Sequence, residues 1–135
     1  MKSEVLIQNL NICIYTDSKE DPQNDSLIRD FLDEVIVALD MTVLIPPIGV
    51  RIPILNYKDH RNNKIRQDDC GLTHIVGIAE SHIATHTWPN YNLIYIEISS
   101  CKEFDNTKVE ELIKKYFPLS TFTKFENKRI IWSNK

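Results

Sequence analysis

The sequence of 135 residues holds only three glycines and three cysteines, no long unbroken apolar run, and no surplus of basic residues. Each shortage excludes something. So little glycine, without any repeated unit, rules out collagen-like and low-complexity chains. Cys13, Cys70 and Cys101 are odd in number and widely spaced, which fits reduced thiols better than a disulfide framework. With 16 Lys and Arg against 19 Asp and Glu, net -3, the chain is not built to neutralise a phosphate backbone, so nucleic acid is not an expected partner. No stretch approaches the length of a membrane span, and Glu4, Gln8, Asn9 and Asn11 interrupt the opening MKSEVLIQNLNICIY where a signal peptide would be apolar. A cytoplasmic protein without membrane contact is therefore expected.

What is present is an ordinary globular mixture, 42% hydrophobic and 26% charged, enough for one compact core and a single domain over residues 1–135. Residues 4 to 15 set Leu6, Leu10, Ile12 and Ile14 against Asn9, Asn11 and Cys13, the alternation of a strand covered on one face. After a polar stretch from Asp17 to Asp25, and a cap at Asn24 or Asp25, SLIRDFLDEVIVALD places Leu27, Phe31, Val35 and Ala38 on one helical stripe. Met41 to Leu55 is apolar and β-branched, but Pro46, Pro47, Gly49 and Pro53 interrupt it, which predicts a bent or edge strand. Asn56 to Asp69 reads as a polar loop, either plain surface or a loop closing over a site. Leu72–Ala79 and Leu93–Ser100 read as buried strands. Thr107–Tyr116 reads as an amphipathic helix with Val109, Leu112, Ile113 and Tyr116 inward, and Arg129–Trp132 as a short last strand. This order suggests an antiparallel sheet with helices on one face. Lys124, Lys128 and Arg129 read as surface charge.

The chemistry concentrates between Gly71 and Cys101, where Thr73, His74, Glu80, Ser81, His82, His86, Trp88 and Cys101 fall within about thirty residues. A metal site is one reading, since His82 and His86 are four apart. On a strand, however, they would stand roughly 13 Å apart at about 3.3 Å per residue, too far for one ion, and Ile83, Thr85, Thr87 and Pro89 favour extended chain. Taken singly, these residues also suit ordinary packing in a binding protein without catalysis.

The run GLTHIVGIAESHIATHTWPNY, followed by a strand and Cys101, closely resembles the processing and active-site region of the prokaryotic S-adenosylmethionine decarboxylases, small pyruvoyl-dependent enzymes of polyamine synthesis. The likeness is carried by ESHIxxHTWP, with a cysteine fifteen residues after its second histidine. It covers roughly residues 71 to 115; the helix at 25 to 39 and the opening strand agree in order only. The resemblance implies an α/β (α+β) two-layer sandwich, an antiparallel β-sheet with helices on one face, paired as a homodimer of processed protomers with active sites near the interface.

It also implies that the chain cuts itself between 80 and 81 into 1–80 and 81–135 fragments. The Ser81 hydroxyl would attack the Glu80 carbonyl, and elimination from the resulting ester would leave a pyruvoyl group made from Ser81, with no external cofactor and no metal. Thr73, where the family usually has serine, would steady the intermediate. His86 would help remove the α-proton, and Cys101 would return a proton to the substrate after carbon dioxide leaves a Schiff base. Glu80 would end the first fragment, and His82 would assist or merely pack. The substrate would be a small amino-acid-type molecule held by Trp88 and neighbours.

Two departures bear on which substrate. Asn90 stands where the family carries a glutamate that holds the ribose hydroxyls, and Gln67 where it carries an aromatic residue that stacks on adenine. Asp68 and Asp69 beside it suit a distal ammonium or guanidinium group. S-adenosylmethionine, L-ornithine and L-arginine thus all stand as candidates, and a non-catalytic regulatory paralogue stands as the reading of a different class.

Overall fold

The computed structural model describes residues 4–18, 20–52 and 71–133; the Asn56 to Asp69 stretch, with Gln67, Asp68 and Asp69, lies outside them. Along the chain run β1 (Glu4–Tyr15), α1 (Asp25–Ala38), β2 (Thr42–Ile52), β3 (Gly71–Ala79), β4 (Ser81–Trp88), β5 (Leu93–Ser100), α2 (Asn106–Tyr116) and β6 (Thr121–Ser133). The strands form one antiparallel sheet in the order β2-β3-β4-β5-β1-β6. Together with the two helices this is an α+β sandwich, as the sequence led us to expect.

Alternation along the central strands decides which face the helices cover. Leu10, Ile12 and Ile14 of β1 and Ile94, Ile96 and Ile98 of β5 are buried in one cluster with Phe31, Leu32 and Val35 of α1 and Val109 and Ile113 of α2. Side chains at period two then put Asn9, Asn11, Cys13, Tyr95 and Glu97 on the opposite, open face. Phe31 makes edge contacts with Tyr116 and Phe117 at 5.9 and 5.6 Å, joining the helices over the core. Each helix starts where a short polar side chain caps it: Leu27 N donates to Asn24 Oδ1 at 3.1 Å, and Thr107 N to Asp105 Oδ1 at 2.9 Å.

A polar tie crosses the same layer. His74 of β3 is fully buried and stands 2.6 Å from Asp25 Oδ1 in the first turn of α1. Burial holds His74 below the ordinary imidazole value, so it is a neutral ring giving Nε2–H to the carboxylate. Gly49, its partner on β2, makes room: a Cβ there would stand 2.5 Å from the ring.

The edges differ in how well the sequence foretold them. β2 is an edge strand whose register shifts across Pro46 and Pro47, as the prolines predicted. The last strand is longer than expected, running Thr121–Ser133 instead of Arg129–Trp132. It is exposed along nearly its whole length and is held by its backbone ladder to β1, so no inside-outside alternation marks its first half. Among the described residues no helix is long and apolar enough to cross a membrane.

Candidate active site

β4 carries two groups of the candidate side chains, one at each end. At its start, β3 turns through Glu80 into Ser81, which pairs with Ile78 on one side and Ser100 on the other. Ser81 has φ 154°, a conformation rarely adopted by residues with a side chain. Beyond the end of β5, the Cys101 amide donates to the Glu80 carbonyl oxygen at 3.3 Å. A hydroxyl therefore follows directly on a carbonyl whose oxygen already faces an N–H, the arrangement that stabilises negative charge when such a carbonyl is attacked. The Cys101 thiol is free and partly exposed.

At the far end, Thr73 of β3 and His86 of β4 are cross-strand partners, with Oγ1 and Nδ1 3.1 Å apart. Tyr95 of β5 is the partner of His86 on the other side; the two rings lie parallel within 9°, centroids 6.0 Å apart. The Trp88 ring is 6.3 Å from His86 and 43% exposed, and the chain then turns through Pro89–Tyr91, which holds the exposed Asn90.

Between these ends lies a hydrogen-bonded set of which sequence reasoning singled out only His82. His82 Nε2 lies 2.7 Å from Glu97 Oε1, and the Tyr95 hydroxyl lies 2.9 Å from Glu97 Oε2 and 2.6 Å from Asn11 Oδ1. The His82 hydrogen bond, more than the Tyr95 one, holds Glu97 below the usual carboxylate range against its partial burial. Burial, with the Glu97 hydrogen bond, pushes Tyr95 up to about 12. With Asn11, Cys13 and Lys124, Tyr95 also borders a cavity of about 630 Å³. The polar half of the alternation in β1 and β5 was the available signal for Asn11, Tyr95 and Glu97.

The structure thus brings Thr73, His86 and Trp88 together, and Glu80, Ser81 and Cys101 together, but it does not join the two groups within one chain. Ser81 and His86 are five residues apart on one strand, roughly 16 Å at the usual rise. His82 and His86 face the same side with different partners, and among the described residues no group of three or more His, Cys, Asp or Glu is placed to hold a metal ion.

A family model described as S-adenosylmethionine decarboxylase matches residues 9–130. An S-adenosylmethionine decarboxylase proenzyme of Archaeoglobus fulgidus is 50% identical over 44 residues, 33% of this chain and 38% of that protein. An arginine decarboxylase proenzyme of Caldivirga maquilingensis is 41% identical over 59 residues, 42% of this chain and 43% of that protein. The matches thus span less than half the length of these curated relatives. Among solved structures, the adenosylmethionine decarboxylase of Aquifex aeolicus shares the fold, with TM-score 0.62 at 16% identity over 95% of this chain and 91% of that one.

Proposed function

The chain belongs to the S-adenosylmethionine decarboxylase family, and from that premise we propose that it is a self-processing, pyruvoyl-dependent decarboxylase of polyamine biosynthesis. The observation that carries this reading is the Glu80 carbonyl oxygen turned toward the Cys101 amide immediately before the Ser81 hydroxyl. Serine alone is a weak nucleophile toward an amide; here the oxyanion has a donor and the serine backbone is strained. Attack forms a bond from Ser81 Oγ to the Glu80 carbonyl carbon and breaks the bond to the Ser81 nitrogen, leaving an ester and a free amine. Removal of the residue 81 α-proton by His86 then expels the Glu80 carboxylate from Cβ. Hydrolysis of the resulting enamine releases ammonia and leaves pyruvoyl at the head of the second fragment.

The residues present fit that group: its source, Ser81, opens β4, and the Cys101 backbone and thiol follow the end of the neighbouring strand. When formed, the pyruvoyl carbonyl supplies an electron sink for loss of carbon dioxide from an α-amino acid. Cys101 is the proton donor toward the substrate carbon, and His82, held by Glu97, stands beside the reacting residue, where it assists or merely packs.

His86 and Thr73 cannot reach Ser81 of their own chain, so a second copy supplies them. Packing two open faces about a two-fold axis sets the Ser81 end of one β4 against the His86 end of the other. Exposed Ile48, Val50, Ile75 and Trp88 on that face support such a homodimer. Thr73 then steadies the intermediate of its partner and Trp88 lines the partner's substrate site.

The substrate is S-adenosylmethionine or a basic amino acid. Asn90 in place of the ribose-binding glutamate favours L-arginine or L-ornithine, and the match to an arginine decarboxylase proenzyme supports that reading. Gln67, Asp68 and Asp69, the other residues invoked for it, lie outside the described residues.

The test is denaturing electrophoresis and mass spectrometry of the purified chain. Two pieces cut before Ser81, the second headed by pyruvoyl, are expected, with Ser81→Ala remaining whole. Carbon dioxide release from the three candidate substrates side by side then identifies the substrate. An uncut wild type, inactive on all three, would leave the regulatory paralogue in its place.

A further inference from the structure

A base that must take one proton from one carbon needs a fixed ring plane and a free nitrogen. Thr73 engages His86 at Nδ1, which assigns the other nitrogen to the reaction but leaves the ring able to swing about that single contact. The second restraint comes from β5, where Tyr95 lies parallel to the imidazole from the adjoining strand. Its hydroxyl is pinned between Asn11 of β1 and Glu97 of β5, one proton serving two acceptors. It stands on the open face, away from the helices, so its ring does not fill the core.

We propose that Tyr95 is the positioning residue for His86, its ring setting the imidazole plane while Asn11 and Glu97 anchor its hydroxyl. This rests on the role given to His86 above. The ester at residue 81 has two exits. In one, the imidazole takes the α-proton, the Glu80 carboxylate leaves Cβ, and the enamine is hydrolysed to pyruvoyl and ammonia. In the other, water hydrolyses the ester and a serine with a free amine remains. A swinging His86 slows the first exit and leaves the second untouched.

The test follows full-length wild type, Tyr95→Phe and Tyr95→Leu by electrophoresis and by the mass of the second fragment. Tyr95→Leu is expected to slow pyruvoyl formation on the order of tenfold or more and to raise the share of fragments headed by serine, while Tyr95→Phe, which keeps the ring, stays within about threefold. Pyruvoyl formation by Tyr95→Leu at the wild-type rate, with no serine-headed fragment, overturns the assignment. If Tyr95→Leu does not fold, Tyr95→Ile, which also removes the ring and keeps a strand-forming side chain, takes its place; an unchanged serine share there overturns the proposal equally.

A second measurement needs no cutting. In the intact Ser81→Ala chain, Tyr95→Leu is expected to move the His86 ring resonances and its tautomer ratio by NMR, and Tyr95→Phe to leave them close to their starting values. His86 signals indifferent to Tyr95→Leu overturn the proposal. A wild type that never cuts counts against the Ser81 reading, while the NMR comparison still decides Tyr95.

Discussion

His74 meets Asp25 inside the protein as a neutral donor, with its Nδ1 buried and without a partner among the described residues. Protonating that nitrogen would place an unpaired N–H and a charge in the core. Its folded-state affinity for protons is therefore lower than that of the unfolded chain, which binds more protons below about the ordinary value of 6.5. Stability is fully present above that pH and is lost as pH falls below it. Asp25 is held below its ordinary 3.8 by hydrogen bonds from His74 and then Arg29, which outweigh its desolvation, and it adds a loss of the same sign at lower pH. The urea midpoint is expected to fall as pH drops through 6.5, and His74→Leu to flatten that step; a wild-type midpoint indifferent to pH there would refute the account. None of this was legible in the sequence, because Asp25 and His74 are 49 residues apart and only the tertiary packing of α1 on β3 brings them together. The Ser81 and His86 region was legible because its unusual residues are contiguous. Tyr95 and Glu97 were passed over because each also reads as an ordinary outward position of a strand.

The elements foretold best are those whose signal is local. In α1, Asn24 sits in extended conformation at the N-terminus and its side chain accepts from Leu27 N, so the cap was visible from residue type and position. Asn24→Ala is expected to cost about 1 kcal/mol of stability, read from denaturant unfolding, with no change in self-cleavage. The edge character of β2 was equally visible, since its prolines cannot donate to a ladder. β6 was underestimated for the opposite reason. Its thirteen residues, TFTKFENKRIIWS, carry Phe122, Phe125, Ile130, Ile131 and Trp132 without the clean alternation that burial imposes, because this edge strand is covered on neither face. Its placement follows from pairing with β1, a non-local fact that periodicity does not encode.

A complete active centre assembled from two copies makes a prediction that no single-chain arrangement shares. Ser81→Ala alone should remain uncut, and His86→Ala alone should yield no pyruvoyl-headed fragment, only serine-headed fragments from hydrolysis of the ester. Co-expressed with distinguishable tags, the pair should form mixed dimers in which Ser81 of the His86→Ala chain faces His86 of the Ser81→Ala chain. Only the His86→Ala chain should then yield a pyruvoyl-headed fragment, which its tag and mass identify. If neither chain yields one in the mixture while the two still associate, the two-copy centre is wrong.

The proposed scission before Ser81 would act on the sheet through its strand order. β1, β2 and β3 would belong to the first piece, and β4, β5 and β6 to the second, but in the sheet they run β2-β3, β4-β5, β1, β6. β1 is clasped between two strands of the other piece, and β3 is zipped along β4. Severing the backbone at the β3–β4 turn therefore frees two new ends without letting the halves drift apart, because they are interleaved like the fingers of folded hands.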